Sequence, residues 1–331
     1  MIKLGLIGYG YWGPNVARNA HRNEKISLEV ICDKRKERLQ KAREIYLDQT
    51  SYEISADMVI DDPKIDAIAL AVETSSHFEL AKKALLAGKD VYIEKPITSS
   101  VAEAEELKKI AEENNRIIHV DHIMIFHPVI KMVKELYQKG DLGELMYFDI
   151  SRMNLGQIKM DVSAMWDLAV HDLSIIDYIT GGLEETFISA VGEKRYSVTE
   201  TLTFLTIKYG NIIAHIKSSW ISPLKERKLI IAGTKKMVVF DDLRSDEKLM
   251  IYDKGVDIVN GDQPEWNDYA VKLRYGDILI PQIPFEDALF NSIDHFRYCI
   301  ESGEQSLSGP DQAIRIIRIL EKADLQMSKG V

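Results

Sequence analysis

A short apolar run that breaks into Gly8-Tyr9-Gly10-Tyr11-Trp12-Gly13 constrains this chain more than any other feature. The pattern G-x-G-x-x-G is weak alone, but here Lys3–Ile7 reads as a buried strand before it and Pro14–Arg22 as a helix after it. Asp33 ends the next predicted strand, Ser27–Cys32, and stands 20 residues after Gly13. Each part has a physical task. Gly8 permits the tight turn, Gly10 lets backbone amides approach a pyrophosphate, and Gly13 permits close helix-on-strand contact. The positive end of the helix then stabilises phosphate charge. Asp33 accepting from a ribose 2′-hydroxyl favours NAD over NADP, while Lys34 and Arg35 beside it soften the exclusion of a 2′-phosphate.

Strands and helices go on alternating behind this loop. Lys36–Tyr46 reads as a helix, Ala67–Val72 as a strand, and His77–Ala87 as a helix stopped at Gly88. Val91–Ile93, the helix Val101–Glu113 capped by Ser99 or Ser100, and the strand Arg116–Val120 follow. Such βαβ units predict a parallel sheet covered on both faces. After residue 122 the texture changes. Helices at Val129–Gln138 and Ser163–Thr180 flank a strand at Leu145–Ser151, and period-two runs follow at Glu200–Tyr209, Asn211–Trp220 and Lys228–Ala232. In the first of these, Leu202, Phe204 and more loosely Thr206 form the apolar face. These runs predict a mostly antiparallel sheet with one covered face. Helices Pro284–Ile300 and Pro310–Met327 close the chain. The expected fold is thus α/β: a doubly wound parallel sheet over residues 1–121, then an α/β domain with a large open sheet over 122–331, whose last helices can pack back on the first domain.

Composition narrows the class. At 331 residues and 46% hydrophobic, the chain has ample material for a core. A net charge of −10 with mixed signs argues against nucleic acid, whose binding rests on phosphate neutralisation. Two cysteines, Cys32 and Cys299, cannot form a disulfide framework. No apolar run nears the ~18 residues needed to span a membrane, and the start lacks a small-residue cleavage pattern. A cytoplasmic protein without a membrane partner is expected. The remaining histidines show no metal-ligand spacing, so no metal site is expected.

From Val72 the chain continues V-E-T-S-S-H-F-E-L-A-K-K-A-L-L-A-G-K-D-V-Y-I-E-K-P. With the opening loop, with Glu94-Lys95-Pro96, and with Asp167-Leu168-Ala169-Val170-His171-Asp172, this resembles the Gfo/Idh/MocA family of NAD(P)-dependent sugar oxidoreductases. The resemblance covers essentially the whole chain. It implies a Rossmann domain, a second domain whose open sheet supports substrate and often oligomerises as a dimer or tetramer, and a hydride-transferring activity. It also implies that Lys95 lies beside the nicotinamide and the reacting hydroxyl, that Asp167 and His171 face it from the second domain, and that Thr74 and Glu94 flank the nicotinamide side. The chain departs from the family at Ser75, where proline is frequent, and at Asp121, where glycine is common. A narrower likeness, at Gly10–Asn15, Arg152–Gly156 and Trp166–Ala169, is similar to the family's sugar-nucleotide 3-dehydrogenases and 3-ketoreductases. It implies UDP-linked amino sugars or uronic acids as substrates.

The residues can also be weighed by their chemistry. Oxidising a secondary alcohol needs a base whose pKa lies near the working pH, which suits His171. Asp167 is four residues earlier on the predicted helix and shares its face, as an orienting carboxylate or as an ordinary surface contact. Lys95 ends a strand at the carboxyl edge of a parallel sheet, where such sheets bind ligands. Arg152 and Asn154 point to one face of a strand, and a guanidinium suits a phosphate or an ion pair equally. Lys225 and Arg227 share that ambiguity. Tyr11 and Trp12 either line the cofactor or cover the loop. The competing activities are an aldose or inositol dehydrogenase and a dinucleotide-binding regulator without chemistry; the latter has no use for Lys95, Asp167 and His171.

Overall fold

The computed structural model describes residues 1–160, 162–258 and 271–328. The chain divides into two compact units, Met1–His127 with Glu286–Glu321 and Pro128–Phe285 with Lys322–Val331. The first holds β1 (Ile2–Ile7), α1 (Gly13–Arg22), β2 (Ile26–Cys32), α2 (Lys36–Tyr46), β3 (Ser51–Glu53) and α3 (Ala56–Ile60). It continues with β4 (Ala67–Leu70), α4 (His77–Leu86), β5 (Asp90–Ile93), α5 (Val101–Glu113) and β6 (Ile118–Val120). The second begins with α6 (Pro128–Gln138), β7 (Leu145–Leu155) and α7 (Val170–Thr180). Its remaining strands are β8 (Phe187–Glu193), β9 (Leu202–Tyr209), β10 (Ile212–Ser219), β11 (Ile221–Gly233), β12 (Met237–Asp241), β13 (Leu249–Ile258) and β14 (Val271–Leu279). The chain ends with α8 (Ala288–Ser302) and α9 (Pro310–Ser328).

In the first unit six parallel strands lie in the order β3-β2-β1-β4-β5-β6. This is the order of the doubly wound dinucleotide-binding sheet, with its switch point between β1 and β4. Strand β4, Ala-Ile-Ala-Leu, is buried throughout, as a strand covered on both faces must be. Helix α1 buries Val16, Ala17 and Ala20 in a cluster that also takes Leu289, Ile293, Phe296 and Cys299 from α8. Each large side chain so buried contributes ~1.5–3 kcal/mol, which is why α8 belongs to this unit. Helix α5 starts where the sequence places it: the Ser100 hydroxyl accepts from the Glu103 amide.

Among the described residues of the second unit, eight strands form one sheet in the order β14-β13-β12-β11-β7-β10-β9-β8. Pairing is antiparallel except for β10 with β7. The face of β9 expected to be covered is the open one. Phe204 is exposed, whereas Thr203, Leu205, Ile207 and Tyr209 are buried. Both faces of this strand carry apolar residues, and a one-residue change of phase exchanges them. Among the described residues no helix is long and apolar enough to cross a membrane.

Candidate active site

The loop after β1 is built by its glycines. Gly8 adopts φ +99°, and a Cβ there would collide with the Ala71 carbonyl oxygen at the end of β4. A Cβ on Gly13 would strike the Gly8 carbonyl oxygen, so α1 can start against the strand only with glycine at that position. At Gly10 the nearest group is the end of a flexible side chain, Arg38 Nη1 at 3.3 Å, so backbone amides there are approachable. No side chain caps α1 and no acid stands in its first turn, which leaves its positive end to an anion. These features fit a dinucleotide pyrophosphate. Of the two loop aromatics, Tyr11 is 88% exposed, while Trp12 is half-buried and donates through Nε1 to Asp121 Oδ2 at 3.3 Å.

Asp33 is buried at the carboxyl end of β2 and already has three donors. The Tyr9 amide and Arg38 Nη1 donate to Oδ2 at 2.8 and 3.1 Å, and the Arg35 amide donates to Oδ1 at 2.9 Å. Two sequence cations, Lys34 and Arg35, are exposed. The one that meets Asp33 is Arg38, one helical turn further on, which sequence reading passed over. This ion pair is expected to set the balance between cofactors. We expect tighter binding of NAD than of NADP, a narrower gap in Asp33→Ala, and a gap widened ~10-fold in Arg38→Ala, which loses one charge-assisted contact to a 2′-phosphate. Titration of both cofactors against intrinsic tryptophan fluorescence measures this; equal affinities in the unmodified protein would contradict it.

Lys95 and Glu94 follow β5 at the same edge of the sheet, Lys95 half-buried and Glu94 buried. The Lys95–Pro96 peptide is cis. Burial pushes the Glu94 carboxyl well above its usual range, and the adjacent Asp121 carboxyl adds to the shift. Thr74 lies half-buried in the turn after β4. The two loops carrying Thr74 and Lys95 are tied by a residue that sequence reading did not single out. The buried His77 ring has Nδ1 2.9 Å from the Pro96 carbonyl and Nε2 3.1 Å from that of Val72. Burial lowers its pKa, and a neutral ring can donate to only one of these two acceptors at a time. Its signal in the sequence is its place, at the start of a helix immediately after the Thr74 turn.

In the second unit the predicted helix from Ser163 begins differently. A π-helical turn, Met165–Ala169, precedes α7 and carries Asp167, while His171 lies in the first turn of α7. Such turns insert a residue and re-aim the side chains around them. Lys159 donates to Asp167 at 2.7 Å. Arg152 is committed within the protein: its Nε and Nη2 lie 3.1 and 2.7 Å from Asp172 Oδ1, and the Asp172 side chain is fully buried. Burial raises the Asp172 pKa against the pull of Arg152 and Arg227. Asn154, further along β7, is half-buried with its amide against Gly156. Arg227 reaches Asp242 at 3.6 Å. Lys225 lines a mixed-charge cavity of about 410 Å³ with Lys217, Lys228, Asp149 and Asp241. Of the three cations that could hold a diphosphate, Arg152 is thus paired with Asp172 and Arg227 with Asp242, while Lys225 and Arg227 line the same cavity.

Comparison with known proteins agrees with this architecture. Residues 2–122 match the Gfo/Idh/MocA oxidoreductase family model, an NAD-binding Rossmann fold, and residues 130–239 match the family's C-terminal domain. The chain is 25% identical to the UDP-N-acetylglucosamine 3-dehydrogenase of Acidithiobacillus ferrooxidans, over 85% of this chain and 86% of that one. A crystal structure of that enzyme superposes with a TM-score of 0.80 at 22% identity, covering 99% and 98% of the two chains. The scyllo-inositol 2-dehydrogenase (NAD(+)) of Bacillus subtilis is also 25% identical, over 92% and 86%. The structure of GenD2 from gentamicin A biosynthesis, in complex with NAD, superposes at 0.82 with 17% identity, covering 100% and 95%. The chain belongs to the Gfo/Idh/MocA family of NAD-binding oxidoreductases.

Proposed function

We propose that this oxidoreductase acts on a secondary alcohol of a sugar, or on the corresponding ketone, and that the reacting carbon is C3 of a nucleotide-linked hexose. The observation that carries the reading is Lys95 at the carboxyl end of a parallel strand, at the edge of the sheet that bears the phosphate loop, in a chain that also keeps Asp167 and His171. The bound nicotinamide supplies the hydride acceptor or donor. Lys95 stabilises charge developing on the substrate oxygen, and His171 takes the hydroxyl proton, a task that imidazole chemistry suits. Asp167 orients the ring or holds a neighbouring hydroxyl. Thr74 and Glu94 line the nicotinamide half of the cofactor, and Gly8, Gly10, Trp12, Gly13 and Asp33 the rest. Self-association belongs to the same reading. Phe187, Val191, Phe204 and Ile213 share the uncovered face of the second sheet and are each more than a third exposed, which supports a homo-oligomer.

The choice of a nucleotide sugar rests on the wording at Gly10–Asn15, Arg152–Gly156 and Trp166–Ala169, and on the likeness to the UDP-N-acetylglucosamine 3-dehydrogenase. A second reading, an inositol dehydrogenase, is favoured by one observation: Arg152 is tied to Asp172 rather than left for a diphosphate. Thermal unfolding with NAD present separates the two. We expect UDP-N-acetylglucosamine to raise the melting temperature, by mass action on the folded state, where myo-inositol at equal concentration does not. The reverse order would favour the inositol reading.

A further inference from the structure

Asp121, the acid standing where the family commonly has glycine, is 1% exposed at the carboxyl end of β6. Its amide donates to the Ile93 carbonyl at 2.8 Å, and its carboxyl gathers groups from three other segments. Trp12 Nε1 of the phosphate loop donates to Oδ2 at 3.3 Å, and the Ser292 hydroxyl of α8 donates to Oδ1 at 3.0 Å. Glu94 stands beside it at the sheet edge, since β5 pairs with β6 in the register Ile93 to Val120, and the Tyr92 hydroxyl lies 3.2 Å from the Ser292 hydroxyl that donates to Asp121. Ser292 is itself held 2.9 Å from His119 Nε2, which extends the network into the core.

Two buried carboxyls side by side favour keeping a proton between them, since two buried carboxylates would repel. Asp121 and Glu94 are therefore taken together as a pair carrying one proton and one charge, whose ionisations belong to the pair. Burial pushes both carboxyls up, in keeping with a retained proton. Meanwhile Glu94 Oε1 is buried with no hydrogen-bond partner among the described residues. A buried acceptor left without a donor is destabilising, and a donor on a bound molecule relieves this.

We propose that Asp121 is a positioning residue of the cofactor pocket: by binding Glu94 and Trp12 together, it fixes Glu94 so that Oε1 is offered to the nicotinamide half of NAD, and it anchors the end of the phosphate loop. This rests on Glu94 meeting the cofactor, as proposed above. The charged or titratable neighbours of the pair are Lys95 and Tyr92 on the β5 segment, with His119 and His122 on the β6 segment. Burial holds Tyr92 well above and His119 well below its ordinary range. All four remain in Asp121→Asn, so a difference between pH profiles belongs to the acid pair.

The test is NAD affinity against pH, with melting temperature followed on every variant. In the wild type, Kd is expected to rise on the alkaline side as the shared proton is lost and the two carboxylates repel. Asp121→Asn keeps an acceptor and the side-chain shape but removes one ionisation, so its Kd should be flat over that range. An acid that only supports the core would lower the melting temperature of this variant and leave the alkaline rise in place, which would overturn the proposal. Trp12→Phe gives an independent reading if Asp121 variants unfold: a Kd raised ~3-fold or more is expected from loss of the anchoring contact, and an unchanged Kd would overturn it. If the wild type binds NAD and Glu94→Gln binds it equally well, the assignment of Glu94 to the cofactor fails. If Glu94→Gln weakens binding while Asp121→Asn keeps the alkaline rise, only the role of Asp121 fails.

Discussion

Replacing Lys95 by methionine is expected to remove at least ~10²-fold of turnover while leaving a folded protein that still binds NAD. Methionine preserves length and apolar stem but can neither stabilise charge on an oxygen nor share a proton. Lys95 is half-buried and follows a buried strand, so the change leaves no cavity in the core. Loss should therefore fall on kcat more than on the Kd for NAD. His171→Asn, which keeps a polar planar group but no base, should lose a comparable factor. Steady-state rates beside a fluorescence titration of NAD decide the matter. Turnover within a few-fold of the parent in either variant would remove that residue from the mechanism.

Arg152→Ala is expected to act on stability rather than on substrate affinity. Asp172 is fully buried, and among the described contacts its carboxylate is met by Nε and Nη2 of Arg152, whose own side chain is only 12% exposed. Removing one partner of such a pair leaves a buried charge uncompensated and costs ~3–5 kcal/mol. Burial already raises the Asp172 pKa, so without Arg152 the carboxyl should take up a proton, softening the loss at low pH. Arg152→Ala with Asp172→Asn should recover part of the stability by removing the orphaned charge. Denaturant unfolding of the single and double variants measures the coupling. A single variant as stable as the parent, with a raised KM for a UDP-sugar, would return Arg152 to the substrate.

These two residues show what a sequence can and cannot disclose. The place of Lys95 after β5 was legible because a parallel sheet fixes where strand ends gather, and the turn of the opening loop because Gly8 and Gly13 admit no side chain. Helices α2 and α5 have the predicted bounds: local periodicity marks both, and the Ser100 cap fixes the start of α5. The commitment of Arg152 was not legible. Its partner lies 20 residues away on another element, and a guanidinium suits a phosphate and a carboxylate equally. Arg38 was overlooked although its partner Asp33 lies only five residues back, and Asp121 was noted without its partners, Trp12 and Ser292, which the fold brings from distant segments. The phase of β9 was inverted because Leu202 and Phe204 are as apolar as Leu205 and Ile207, and only the covering layer distinguishes the faces. Strands β3, β8 and β12–β14 went unseen; they are short or carry exposed apolar residues that blur the alternation.

The central claim is transfer of the hydrogen on C3 of a nucleotide sugar to the cofactor. Incubating the enzyme with NAD and UDP-N-acetylglucosamine deuterated at C3, then weighing the recovered dinucleotide by mass spectrometry, tests it directly. The account predicts reduced cofactor carrying the deuterium, with none formed by the Lys95→Met variant under the same conditions. Unlabelled or unreduced cofactor from the wild type, alongside deuterium transfer from labelled myo-inositol, would contradict it.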